Sequence, residues 1–261
     1  RLQEAIEHDS FVLYRQRIAP AALPQTAASR YEVLVGLRDD DGRIVSPGAF
    51  IPAAERYGLM PAIDRSIVRK ALAAMAEGAR AGDGAGYSIN LSGASINDAS
   101  MTGFLVAELR ASGVDPQRVC FEVTETEAIA NLDSAAKMMQ ALRELGCGIA
   151  LDDFGAGMSS FAYLRQLPVD CLKIDGRFVK GMLEDPVDLA MVEAMHGIAE
   201  RLGLKTVAEF VENERIFARV RELGVHYAQG YAIAAPEPMP EPAVEAQVEE
   251  AAAERRMPAT A

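Results

Sequence analysis

Gly148-Ile149-Ala150-Leu151-Asp152-Asp153-Phe154-Gly155 sets two adjacent carboxylates where an apolar run gives way to a glycine loop. Small and apolar residues without a solvated face predict a strand over Gly148–Leu151, buried on both sides as in a parallel sheet covered by helices. Gly155 and Gly157 then free the backbone to turn. Neighbouring acids at such a strand end repel each other unless a divalent cation, a shared proton or water relieves them.

Outward from this stretch the same unit recurs. Strands are predicted at Phe11–Ile18, Tyr31–Leu37, Gly86–Asn90, Val119–Val123, Gly148–Leu151, Cys171–Ile174, Thr206–Ala208 and Tyr227–Gln229. Amphipathic helical stretches lie between them, among them Ile63–Glu77, Ser134–Leu145, Val187–Leu202 and Glu214–Leu223. Repeated β-then-α units predict a parallel sheet, and eight strands predict closure, so the fold class is α/β, a TIM-like (β/α)8 barrel. One link departs from the pattern. About a dozen residues, rich in Pro and Ala and without helical period, join the first two strands. That link suits a hairpin, so the first strand is expected to run antiparallel. From Pro236 the composition shifts to prolines and then to Ala and Glu. The expected division is a barrel over 1–238 and a helical tail or linker over 239–261.

Composition narrows the function classes. A chain of 261 residues, half of them apolar, has the length and the core of one barrel and not the composition of a disordered segment. A net charge of −12 argues against a nucleic-acid polymer as partner, which needs a basic face. The three cysteines, Cys120, Cys147 and Cys171, sit in apolar runs without metal-ligand spacing and read as reduced, buried thiols of a cytoplasmic compartment. No apolar stretch reaches membrane-spanning length, so this fragment is expected to make no membrane contact. The chain begins at Arg1 and reads as an excised domain, with room upstream for a membrane anchor or sensor.

The residues near the strand ends carry the chemistry. Glu32, Asn90, Glu122, Asp152, Asp153, Lys173, Glu209 and Gln229 occupy such positions, and a barrel brings strand C-terminal ends to one mouth. Apart from the lysine these side chains offer oxygen donors, which select Mg²⁺, Mn²⁺ or Ca²⁺ over zinc. Five carboxylates are balanced by two divalent cations and one lysine, and two ions suit displacement at phosphorus. Each residue has a plainer reading alone: an Asp-Asp turn, an Asn cap, a snorkelling lysine, an acidic first helical turn. The ordered set is what tips the balance.

The chain resembles the EAL-type cyclic-di-GMP phosphodiesterase domains from about Gln16 to Pro238. Glu32-Val33-Leu34 stands at the family's naming motif, followed by Ser46-Pro47-Gly48-Ala49-Phe50-Ile51-Pro52, Asn90-Leu91-Ser92 and Glu122-Val123-Thr124-Glu125. Asp152-Asp153-Phe154-Gly155, Leu172-Lys173-Ile174-Asp175, Ala208-Glu209-Phe210-Val211-Glu212 and Gln229-Gly230-Tyr231 complete the order. The resemblance implies metal binding by Glu32, Asn90, Glu122, Asp152, Asp153 and Glu209, with Mg²⁺ or Mn²⁺ as two ions. It implies that Lys173 orients or deprotonates the attacking water, a role that needs its pKa lowered by nearby cations, and that Asp175 and Glu212 hold Lys173 and the ligands in place. Gln16, Leu34, Arg38, Asp175, Glu212 and Gln229 are expected on the substrate side, and the product is expected to be linear pGpG. A homodimer and an upstream GGDEF or sensor domain are further expectations of the family.

Two positions depart from the family. Gly36 stands where the motif usually ends in arginine, and Arg38 matches a separate basic position. Losing a guanidinium–phosphate bond weakens substrate binding by about 1.5–3 kcal/mol, and Gly36→Arg is expected to restore it. Phe210 replaces a glycine beside Glu209 and either narrows the mouth or fills space. Both leave room for an alternative: a weak or inactive domain that receives cyclic di-GMP or binds a protein.

Overall fold

Alternation of small or polar residues with Val, Ile, Leu and Phe along each strand leaves one face for a barrel interior and one for covering helices. In the computed structural model, which describes residues 2–22, 29–157 and 161–240, ten strands form one sheet. They are β1 (Phe11–Pro20), β2 (Arg30–Arg38), β3 (Ile44–Val45), β4 (Gly86–Asn90) and β5 (Val119–Thr124). The chain continues with β6 (Gly148–Phe154), β7 (Cys171–Ile174), β8 (Lys205–Ala208), β9 (Tyr227–Gln229) and β10 (Glu237–Pro238). The order β1-β9-β8-β7-β6-β5-β4-β2 closes where β2 pairs back onto β1. Neighbours from β2 through β9 are parallel, whereas β1 is antiparallel to both β2 and β9. The eight-stranded barrel and its reversed first strand are as expected.

The helices pack outside, each presenting an apolar stripe to the sheet. In Met60–Arg80 the buried positions Ile63, Ile67, Val68, Ala71, Leu72 and Met75 follow the helical repeat. The same helix carries Asp64, 3 % exposed, which accepts bonds from Ser92 N (2.9 Å), Ser92 Oγ (2.6 Å) and Ser95 Oγ (2.6 Å). Those bonds pin the turn after β4 and hence the strand end that bears Asn90. Burial pushes the Asp64 carboxyl above its usual range, against these three bonds.

The chain stays on the barrel to its last described residues. Met239 is buried and its N–H bonds Leu13 O at 2.9 Å, while β10 pairs with β1. The expected helical tail lies outside the described residues from 241 onward, as does Met158–Ser160 of the loop expected over Gly155–Ser160. Of the three free cysteines only Cys147 is buried; Cys120 and Cys171, near the strand N-terminal ends, are half-buried. No described helix is long and apolar enough to cross a membrane.

Candidate active site at the barrel mouth

β6 departs most usefully from its expected form. The strand runs on through Phe154 instead of stopping at Leu151, and its pairing with β7 slips between Leu151 and Phe154. Asp153 there takes a left-handed conformation, φ 51°. A regular strand would send consecutive side chains to opposite faces; the irregularity turns both carboxylates toward one mouth. Asp152 and Asp153 thus come together with Glu209, each with an oxygen within 4.8 Å of the others'.

Asp152 also belongs to a second cluster of the same compactness with Glu32 and Glu122. Between the carboxylates sits the Lys173 ammonium, 1 % exposed, at 2.6 Å from Glu122, 2.9 Å from Glu209, 3.1 Å from Asp152 and 3.3 Å from Glu32. Asn90 Nδ2 donates to Glu32 Oε1 at 2.7 Å and Gln229 Nε2 to Glu32 Oε2 at 2.6 Å. Gln229 Nε2 also lies 3.1 Å from Gln16 Oε1, and Gln16 in turn donates to Ala234 O at 3.0 Å.

One lysine does not neutralise this many acids, and burial sets several of them against ionisation. Burial pushes Glu122 up to about 8 despite Lys173, and Glu209 is raised for the same reason. Burial raises Asp153 as well, with the neighbouring Asp152 adding to it. Glu32 moves the other way: burial opposes ionisation, but Lys173 and the amides of Gln229 and Asn90 outweigh it. Lys173 itself is held well above its usual value, burial being overcome by Glu122, Glu209, Glu32 and Asp152. The same four carboxylates are the ones expected to take cations, so the ammonium and any bound ion share these neighbours.

The donor set fits a divalent cation. Asp152 Oδ1 and Gln229 Oε1 are buried without a hydrogen-bond partner; the 3.1 Å contact of Asp152 with Lys173 lacks hydrogen-bond alignment. An orphaned acceptor, two carboxylate clusters sharing Asp152, and raised carboxyls that would shed protons to a cation are the features of an oxygen-rich metal site.

A cavity of 360 Å³ opens over these groups, lined by Gln16, Glu32, Leu34, Asp152, Asp153, Glu209, Phe210, Glu212, Gln229, Gly230, Tyr231 and Pro236. A larger one, 450 Å³, lies at the opposite strand ends among Arg30, Arg118 and Cys171 and contains none of the site carboxylates. Not every expected residue joins the mouth. Arg38 is exposed at the end of β2, beyond the cavity wall. Asp175 accepts from Arg177 N at 2.8 Å and Arg177 Nε at 3.0 Å as the cap of helix Gly176–Gly181, so its oxygens do not hold Lys173. Glu212 lines the cavity but pairs with Lys180 at 2.8 Å, likewise away from Lys173.

The two departures acquire physical causes. A Cβ at Gly36 would lie 2.7 Å from Ile44 Cγ2 and 3.3 Å from Tyr14 Cε2. A side chain at Gly36 therefore requires the exposed Ile44 side chain to shift, so Gly36→Arg carries a packing cost beside its expected gain. Phe210 adopts φ 50°, the left-handed region that favours glycine, at a cost of about 1–2 kcal/mol.

Glu125, just beyond β5, is fully buried. It accepts from Gly155 N at 2.9 Å and from the Tyr163 hydroxyl, tying together two ends of the segment between β6 and β7. Glu127 accepts from Gly93 N at 2.6 Å and from Thr124 Oγ1 at 3.0 Å. Thr124 with Glu three residues on was a legible capping pattern; the long-range partners were not. His196, Glu200 and His226 also cluster, yet His226 Nδ1 accepts from Thr206 N at 3.1 Å. Its proton therefore sits on Nε2, facing Glu200 at 3.1 Å, and that nitrogen has no lone pair for a metal.

Comparison with known proteins follows the same lines. The family model described as EAL domain matches residues 1–236. The cyclic di-GMP phosphodiesterase PdeB of Shewanella oneidensis is 42% identical over 239 residues, 92% of this chain and 28% of PdeB. PdeF of Escherichia coli, also a cyclic di-GMP phosphodiesterase, is 35% identical over 239 residues, 92% of this chain and 32% of PdeF. The chain thus spans less than a third of the length of these curated relatives. Among solved structures, the Pseudomonas aeruginosa FimX EAL domain bound to c-di-GMP superposes with a TM-score of 0.84 at 29% identity, covering 90% of this chain and 94% of that one. The PaMucR phosphodiesterase–c-di-GMP complex gives 0.84 at 31% identity, over 91% and 96%.

Proposed function

Since the chain belongs to the EAL domain family, we propose that its barrel mouth hydrolyses cyclic di-GMP to linear pGpG. The observation that carries this reading is the set of four carboxylates around Lys173, with Asp152 common to two ligand clusters. Glu32, Asn90, Glu122, Asp152, Asp153 and Glu209 are the groups that would hold two ions, Mg²⁺ or Mn²⁺. Such ions supply Lewis acidity toward a phosphate oxygen and acidify water.

The chain's own residues do the rest. A water oxygen bonds to phosphorus as one phosphorus–oxygen bond of the ring breaks, and the leaving oxygen takes a proton. Lys173, within 3.3 Å of Glu32, Glu122, Asp152 and Glu209, stands where it orients or deprotonates that water. Gln229 and Asn90 fix the Glu32 carboxylate, while Gln16 steadies the Gln229 amide. Gln16, Leu34, Glu212 and Gln229 line the space left for the nucleotide, whereas Arg38 and Asp175 act from outside it.

The barrel is taken to span 1–238, with 239–261 as tail or linker, in a cytoplasmic module that pairs as a homodimer downstream of a GGDEF or sensor domain. Incubating the purified chain with cyclic di-GMP and Mg²⁺ or Mn²⁺ tests the reading: pGpG forms, and Glu32→Gln or Asp152→Asn abolishes it. Intact nucleotide at high protein concentration overturns it. The second reading, a weak or inactive domain that receives cyclic di-GMP, draws on Gly36 and Phe210, the two departures from the family pattern. Tight calorimetric binding without pGpG would distinguish it.

A further inference from the structure

Phe210 is an anomaly of both conformation and exposure. Its backbone lies in the left-handed region at φ 50°, and its ring is 53 % exposed. A phenyl ring placed there is neither favoured by the backbone nor buried by its own chain. Tyr231, 70 % exposed, stands on the same cavity wall, and the one other aromatic among the strongly exposed apolar side chains described is Tyr57, which caps helix Pro47–Arg56 and does not line the cavity.

The ring is nevertheless held in one place. A Cβ at Gly176 would lie 2.1 Å from Phe210 Cδ2, so the bare backbone of Gly176 makes the seat for the ring. The Lys180 ammonium sits 4.6 Å from the ring centroid, and Glu212 holds that ammonium at 2.8 Å. Backbone, cation and carboxylate thus fix the ring at the lip, beside Glu209 and the Asp152–Asp153 pair.

We propose that Phe210 is a substrate-positioning residue whose ring stacks on a purine base of the cyclic dinucleotide. The proposal rests on the phosphodiesterase reading above. The reaction centre at phosphorus is polar and acidic, so it offers nothing to a base plane; an exposed, seated aromatic at its edge does. A flat ring presents a π face to any purine, and a cation beside it reinforces the stack. Loss of one such stack weakens binding on the order of tenfold. The strained backbone is consistent with a residue kept for ligand contact and not for folding.

The chain contains no tryptophan, which makes the test clean. In EDTA, which stops turnover, cyclic di-GMP titrated into Phe210→Trp is expected to quench the single indole saturably, at the affinity found by calorimetry on the unmodified protein. With Mg²⁺ or Mn²⁺, Phe210→Gly is expected to raise KM about tenfold with kcat within twofold, while Tm is unchanged or higher because glycine relieves the backbone. Phe210→Tyr keeps KM. Binding without quenching, or a KM for Phe210→Gly that is equal or lower, overturns the stacking role and leaves a space-filling lip. Absence of cyclic di-GMP binding by the unmodified protein overturns the phosphodiesterase reading, and the stacking role falls with it.

Discussion

Lys173 is the residue on which the site's electrostatics turn. Removing it leaves Glu32, Glu122, Asp152 and Glu209 facing one another in a buried space. Lys173→Met is expected to destabilise the metal-free protein by about 3–5 kcal/mol, and Mg²⁺ or Mn²⁺ should restore most of that, as read by thermal melts in EDTA and in metal. A melt unaffected by the substitution would contradict the arrangement. At Gly36 the expected outcome is conditional. Gly36→Arg alone forces Ile44 and Tyr14 aside and should not tighten cyclic di-GMP binding. Combined with Ile44→Ala it should, by about 1.5–3 kcal/mol if the guanidinium reaches phosphate; calorimetry on both variants decides. The residue types at both positions were legible in the sequence. What surrounds Gly36 was not, because Ile44 arrives from a two-residue strand paired to the end of β2.

Among the elements, β6 and the segment after it matter most. The short apolar run Gly148–Leu151 predicted a strand, and the strand is there. Its extension through Phe154 was hidden because two acids read as a turn, whereas pairing with β7 and the irregularity at Asp153 keep them in the sheet. Glu125 braces this region by holding Gly155 N and the Tyr163 hydroxyl. Glu125→Ala removes a charge-assisted bond and leaves a buried amide unpaired. It should lower kcat/KM tenfold or more while far-UV circular dichroism stays native. Full activity would show that the brace is dispensable. Nothing near Glu125 in sequence announces Tyr163, 38 positions on, so this contact belongs to the fold.

For the molecule as a whole, protons and cations compete for the same carboxylates. Burial pushes the Glu122 carboxyl up from its usual 4.5 to about 8. A raised carboxyl contributes stability that is fully present below the unfolded pKa and lost as pH rises through the folded one. The metal-free protein should therefore lose this contribution between about pH 4.5 and 8, and a cation should replace it. His196 and His226, lowered chiefly by burial, contribute with the opposite pH dependence, so the informative quantity is the difference in Tm with and without Mg²⁺. That difference is expected to grow from pH 6 to pH 8; a constant or shrinking difference would count against metal binding at Glu122.

The sequence by itself determined the barrel, its reversed first strand and the order of the oxygen donors. Periodicity, the length of the links and the residue types at strand ends are local properties. Only the tertiary structure decided that consecutive Asp152 and Asp153 face one mouth, that Asp175 and Glu212 turn to Arg177 and Lys180, and that Lys173 sits among four acids. Those outcomes depend on burial and on distances between strands far apart in sequence, and an electrostatic balance exists only once those strands are side by side.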